Sequence, residues 1–366
     1  MTPAAMQPEG RKKTLQAFLE ELQASGGITG GVGLVGTSSE VLVALPIGRA
    51  QEDPPALVTP GTFFDLASLT KPVVATLAVV LDATGDLPLD APVGEVFPEA
   101  HRRLARRELG QLLRHRSGLA PWTPLFARVG SREEALRLLL GGELLSAEGE
   151  TYSDLGYILW EFAAEDRLGS SLAQLLGERV FPPLSIVNMA PSPGPRPDVA
   201  RCRLTNDREV ELARAQGIEV LVLREPPHGT VQDGNSRFLG GLTGAAGLFA
   251  TANAIWKLAR EWLAPGALLD PDKVRSALEG GERYALGWWW RRMRGHAGSA
   301  LTSDAFGMVG FTGGSCWVDP ARDLVAILLT HRLSWHFDLA PWRRRFHRVA
   351  VEMVRDEGAA AVQGRR

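Results

Sequence analysis

GGVGLVGTSSEVLVAL, residues 30–45, contains two short β-rich runs, Gly30–Val35 and Glu40–Leu45, on either side of the polar stretch Gly36-Thr37-Ser38-Ser39. Apolar runs bounded by such a stretch read as a hairpin. The same signature recurs near the other end, where Gly314–Val318 and Leu324–Thr330 flank the turn Asp319-Pro320-Ala321-Arg322-Asp323. Ala285–Arg291 reads as one more strand. From Leu66 to about Arg237 the spacing is helical, with Pro/Gly-rich connections such as Pro183–Pro197 and no strand series long enough for a second sheet. Both ends of the chain therefore belong to one antiparallel sheet, and the middle forms a mostly α-helical lobe against it.

This is an α+β fold, with the sheet flanked by an N-terminal and a C-terminal helix. Residues 11–24 carry Leu15, Phe18, Leu19 and Leu22 at helical spacing and stop at Gly26-Gly27; the last helix is expected from about Pro341 to Arg355. The reading is a single composite domain, 11–365, with one lobe at about 11–80 and 240–356 and the helical lobe at about 81–239. A cleft between lobes is the natural ligand site. The tail Gly358–Arg366 is expected to fray.

The 366 residues are 45% hydrophobic and 22% charged, ordinary globular usage, with 40 basic against 42 acidic residues and a net charge of −2. No basic surplus invites nucleic acid or anionic lipid. Val73–Leu81 is the longest apolar run, far short of the ~20 residues that span a bilayer. Residues 1–13 show no secretory pattern, so a cytoplasmic protein is expected. Cys202 and Cys316 match no metal or redox spacing and read as inert thiols.

Lysine is scarce: Lys12, Lys13, Lys71, Lys257 and Lys273 are the full set. Lys71 closes the sequence Ser68-Leu69-Thr70-Lys71 at the start of an apolar helix, so it sits one turn after Ser68 on the same face. A serine hydroxyl is a weak nucleophile, and an amine beside it at a helix N-terminus is one way to activate it. The same residues also fit an N-cap serine followed by a solvated lysine. Tyr152, in Tyr152-Ser153-Asp154, stands before the apolar stretch Leu155–Ala163, where a phenol beside a lysine can act as general base or pack as an aromatic. The glycine-dense segment Gly307–Ser315 suits either close substrate approach with a free oxyanion donor or a bulged edge strand.

The ordered series SLTK (68–71), LLRHRSGL (112–119), YSD (152–154), GGLTGAAGLF (240–249), YALGW (284–288) and FGMVGFTGGSCWVDP (306–320) resembles the serine β-lactamase and penicillin-binding-protein superfamily, in particular its class C-like esterase branch. The resemblance runs from about residue 30 to 350 and implies a β-lactamase/DD-peptidase-like fold. It implies Ser68 as the acylated nucleophile, Lys71 as its proton acceptor and Tyr152 as the partner base. The N–H groups of Ser68 and Phe311 would form the oxyanion hole, with Asp154, Met308 and Gly310 beside the substrate. It implies a small-molecule substrate, no metal and no cofactor.

Three departures from that pattern matter. Met308-Val309-Gly310 stands where relatives carry a basic residue, Thr and Gly, so the cation that would meet an anionic substrate group is gone and a neutral ester or amide suffers less. Gln232 and Ala245 stand where the esterase branch often has histidine. Asp154, in place of a common Asn, has the charge to hold Lys71 protonated. The expected activity is serine hydrolysis of small esters or amides; the alternatives are a non-catalytic binding protein of the same fold and a β-lactamase or DD-peptidase. His115 reads as structural, at a helix end. Trp288-Trp289-Trp290 reads as a strand with aromatics on both faces, and Arg343-Arg344-Arg345 as a solvated helix face.

Overall fold

A computed structural model describes residues 6–146, 149–225, 227–290 and 294–363. Glu148 before the Tyr152 segment, the strand end at Arg291 and the last three residues of the tail lie outside the described residues. The strands are β1 (Ile28–Gly36), β2 (Val41–Gln51), β3 (Ala56–Leu57), β4 (Phe64–Asp65), β5 (Met189–Pro191), β6 (Leu248–Ala250), β7 (Trp289–Trp290), β8 (Phe306–Val309), β9 (Ser315–Asp319) and β10 (Leu324–Arg332). Seven of them form one sheet in the order β3-β2-β1-β10-β9-β8-β7. The pairs β1/β2 and β1/β10 are antiparallel, so the two ends of the chain meet at the centre of the sheet as expected.

Strand alternation sorts the side chains onto two faces. Val35, Val43, Ala326, Leu328 and Trp317 pack with Leu15, Phe18, Leu19 and Leu22 of the helix Pro8–Ala24 and with Phe346, Ala350 and Met353 of the helix Ala340–Gln363. Val32, Leu34, Val325, Ile327, Leu329, Cys316 and Val318 face the other way, onto the helices Thr70–Thr84 and Ala252–Leu263. Each fully buried Leu, Ile or Val contributes about 1.5–3 kcal/mol. The helix Thr70–Thr84 is buried at eleven of its positions, Lys71 among them. The stretch Ala67–Thr84 is long and apolar enough to cross a membrane by composition, and 72% of it is buried inside this fold.

Some expectations need correction. A second sheet exists, three-stranded in the order β4-β6-β5; its strands are two or three residues long, too short to leave a period in the sequence. Of the strand expected over 285–291, Trp289 and Trp290 alone among the described residues are in β7, because Ala285 to Trp288 fold into a turn closed by Ala285 N–H on Trp288 O at 2.8 Å. Trp288 is buried against Trp262, whereas Trp289 packs edge-on against Tyr152. The last helix continues to Gln363, past the expected end and into the tail expected to fray.

Arg343 does not lie on a solvated face. It is 1% exposed, and its guanidinium donates to Gly310 O, Gly313 O and Gly314 O at 3.4, 2.8 and 3.1 Å. Burying a guanidinium costs several kcal/mol. Hydrogen bonds to a charged donor, at about 1.5–3 kcal/mol each, offset a penalty of that size. Burial nonetheless pulls its pKa down to about 9. Arg345 behaves as expected, pairing at the surface with Glu21. Both cysteines are buried free thiols, pushed up by burial, as inert thiols should be.

Candidate active site

Ser68 sits in a short 3-10 turn, Ala67–Leu69, that runs directly into the helix Thr70–Thr84. Ala67 before it has φ 46°, a left-handed conformation uncommon for a residue with a side chain. Asp65 secures this turn: its carboxylate accepts Ala67 N–H at 2.9 Å and Gln232 N–H at 2.7 Å. Thr312 ties the same residue to the β8–β9 turn through Asp65 O at 2.7 Å. Burial pushes the Asp65 carboxyl up to about 6 despite its two N–H donors.

One helical turn on, Lys71 is fully buried. Its Nζ donates to Ser68 Oγ at 3.1 Å and Ala245 O at 2.9 Å, and lies 2.7 Å from Asp154 Oδ1. Two hydrogen bonds and one close ion pair thus surround the ammonium. Burial opposes the charge, but the Asp154 carboxylate and the Tyr152 oxygen outweigh it and hold Lys71 above the ordinary lysine range. Asp154 therefore does to Lys71 what its charge suggested. The Ala245 carbonyl is set by the loop around Gly244, whose N–H donates to the buried Glu161 at 2.9 Å.

Tyr152 precedes Ser153, the N-cap of the helix Asp154–Leu168, and its hydroxyl interacts with both Ser68 and Lys71. Lys71 Nζ is 5.1 Å from the centre of its ring. The ring is caged by His115 at 4.3 Å, Trp289 at 5.6 Å and Tyr284 at 5.9 Å between centroids. Burial raises the phenol's pKa, the Lys71 charge opposes that, and the Asp154 charge adds to it. His115 follows the end of the helix Leu109–Leu113, accepts Ser153 N–H on Nδ1 at 3.0 Å, and is kept neutral by burial and by Lys71. It is buried at the helix end where it was expected, and its ring packs against the phenol.

A cavity of about 290 Å³ opens onto this corner, lined by Ser68, Tyr152, Asp154 and Phe311 together with Trp122, Leu212, Gln232, Asp233, Ala245 and Ala246. Ser68, Tyr152 and Phe311 are half-buried and reachable. The N–H groups of Ser68 and Phe311 enter none of the described backbone hydrogen bonds and are the free donors of the corner.

Met308 and Gly310 do not line the cavity. Met308, expected beside the substrate, is 0% exposed and packed in the apolar cluster that holds Val73 and Leu77, so the sheet core claims it. Gly310 spends its N–H on Gly314 O at 2.8 Å, and a Cβ there would stand 2.5 Å from Leu66 O. Glycine is what lets this turn rest on the Ser68 segment. Gln232 lines the cavity, but its side chain donates to Thr205 O at 3.0 Å. Asp65 and Glu161 escaped the sequence reading, while Trp289 was read only as a strand aromatic and Arg343 as part of a solvated face; the signal in each case is spatial, although Asp65 does stand three residues before Ser68.

A model of the beta-lactamase family matches residues 15–350. Esterase EstB of Burkholderia gladioli is 26% identical over 360 residues, covering 87% of this chain and 89% of that protein. A putative D-alanyl-D-alanine carboxypeptidase of Escherichia coli is 24% identical over 321 residues, 78% of this chain and 72% of that protein. Among solved structures, a class C beta lactamase from Rhodobacter sphaeroides superposes with a TM-score of 0.71 at 20% identity, over 92% of this chain and 98% of that one. EstCE1, a hydrolase with promiscuous acyltransferase activity, gives 0.69 at 18% identity, over 93% and 99%. At these identities the two structural likenesses are likenesses of fold.

Proposed function

Starting from a chain that belongs to the beta-lactamase family, we propose a serine hydrolase that forms an acyl-enzyme on Ser68 from small esters or amides with an apolar acyl group. The observation that carries the reading is the contact of Ser68 Oγ with a buried, carboxylate-held Lys71 at 3.1 Å, beside a caged phenol and open to a cavity.

The roles follow from charge. Lys71 as an ammonium has no lone pair to receive a proton, so the role of acceptor expected of Lys71 passes to Tyr152 Oη; burial and Asp154 work against the phenolate and the Lys71 charge favours it, so the reactive form grows as pH rises. Ser68 Oγ attacks the carbonyl carbon as its proton passes to Tyr152 Oη. The carbonyl oxygen, now negative, sits between the N–H groups of Ser68 and Phe311; one such donor is typically worth about 3–4 kcal/mol of transition-state stabilisation. Collapse of the tetrahedral species expels the alcohol or amine, which takes the proton back from Tyr152. Water then attacks the acyl carbon as Tyr152 Oη receives its proton; collapse breaks the bond between the acyl carbon and Ser68 Oγ, Tyr152 returns the proton to that oxygen, and the acid leaves.

Cavity size and lining support the substrate class. About 290 Å³ lies at the small end of ligand sites, and Trp122, Leu212, Phe311 and Ala246 give it an apolar wall. With Met308 in the core, the cation lining the cavity among the described residues is Arg208 of the helix Asp207–Arg214, beside Glu209, and it does not stand on the strand edge. The test is a fluorophosphonate probe with peptide mapping, alongside a chromogenic short-chain ester: label on Ser68 together with ester turnover supports the reading, and the absence of both defeats it. A second reading, a non-catalytic binder, draws on the tight Lys71–Asp154 pair and the apolar Met308-Val309. It predicts ligand binding unaffected by Ser68→Ala and no label in the native protein.

A further inference from the structure

The turn between β8 and β9 has two sides. Phe311 faces the cavity, and the guanidinium of Arg343 lies behind, against Gly310 O, Gly313 O and Gly314 O. Gly310 O and Phe311 N–H belong to one planar trans peptide unit, so they point in opposite directions. A donor that engages Gly310 O from the rear therefore aims Phe311 N–H forward. A cation that does so also polarises the amide and strengthens its N–H as a donor to negative charge. The turn closes itself with Gly310 N–H on Gly314 O at 2.8 Å and Gly313 N–H on Gly310 O at 3.2 Å, with Gly313 at φ 138°, and Arg343 adds a charged donor to the same carbonyls.

We propose that Arg343 is a positioning residue of the oxyanion hole, clamping the Gly310–Gly314 turn from behind so that the Phe311 N–H is oriented and polarised toward the carbonyl oxygen of the substrate. It supplies from the C-terminal helix a positive field on the strand edge where Met308 offers none. Lysine is no equivalent, because the planar guanidinium reaches the three carbonyls with Nη2 while its Nη1 meets His296 Nδ1 at 3.3 Å, and an ammonium has no second nitrogen to hold it there.

The inference rests on the serine hydrolase reading, and the experiment separates the two. Wild type, Arg343→Met, Arg343→Lys and Arg345→Ala are titrated with fluorophosphonate, and ester turnover is expressed per titrated serine, which removes any unfolded fraction. Arg343→Met is expected to lower kcat about tenfold or more with KM changed less than about threefold, since a misdirected donor weakens the transition state more than the ground state. Arg343→Lys is expected between Met and wild type, and Arg345→Ala at wild type. In the infrared, the acyl-enzyme carbonyl band of the Met variant is expected at higher frequency than that of wild type. Wild-type kcat per titrated serine with an unmoved carbonyl band, in Arg343→Met or, should that protein not fold, in Arg343→Lys, overturns the inference alone. A wild type that does not label overturns the hydrolase reading and the inference with it.

Discussion

The helical wall of the cavity and its strand wall are built on opposite principles. On the helical wall Ser68, Lys71, Tyr152 and Asp154 concentrate charge and hydroxyls within a few ångströms, each held by a named partner. On the strand wall the side chains have been withdrawn: Met308 is in the core, Gly310 has none, and the polar service left to the turn is backbone. The nucleophile is thus activated by side chains and the developing oxyanion received by amides. Changes on the helical wall should cost rate, while changes on the strand wall should cost stability or transition-state fit.

Ser68→Ala should break the helical wall most completely, lowering ester turnover by more than about 10³-fold while the melting temperature stays near wild type, since a half-buried hydroxyl is removed without leaving a core cavity. Rate loss accompanied by unfolding would mean that Ser68 serves the fold. Tyr152→Phe should follow, with kcat/KM reduced by about 10²–10⁴ and the aromatic cage intact, as read by steady-state kinetics and near-ultraviolet circular dichroism.

Met308→Lys tests the other wall. An ammonium at a fully buried apolar position should destabilise the protein by about 3–5 kcal/mol in denaturant titration and bring no preference for carboxylate-bearing esters. A stable variant that gains such substrates would put residue 308 in the cleft. The smallest effect is expected from Asp154→Asn. The Asp154 charge raises the Tyr152 pKa, so its removal should lower that pKa and move the rising limb of the kcat/KM profile to lower pH. A shift to higher pH, or none, would separate Tyr152 from that limb.

The sequence carried the sheet because its long strands alternate: Val32 and Leu34 go to one face and Val35 and Val43 to the other, and hairpin chemistry set the turn between them. Ser68 and Lys71 were legible because three residues along a helix is also three residues in space. Tyr152 and Phe311 were legible through the ordered motifs they sit in. What stayed hidden depends on long-range contacts. The three-stranded sheet joins segments from residues 64, 189 and 248, and none is long enough to show a period. Arg343 stands in a run of three arginines that looks solvated, and only the carbonyls of a turn some thirty residues earlier take it inside. Met308 occupies a motif position by order and a core position by packing, and packing decides what it can touch.

The most direct measurement is the mass of the intact protein, acid-quenched within the first turnovers of an activated acetyl ester. The account predicts a fraction heavier by one acetyl group, mapped to the peptide bearing Ser68 and absent in Ser68→Ala. Unmodified protein at every time point while the ester is being hydrolysed, or an acetyl group on another residue, would contradict it.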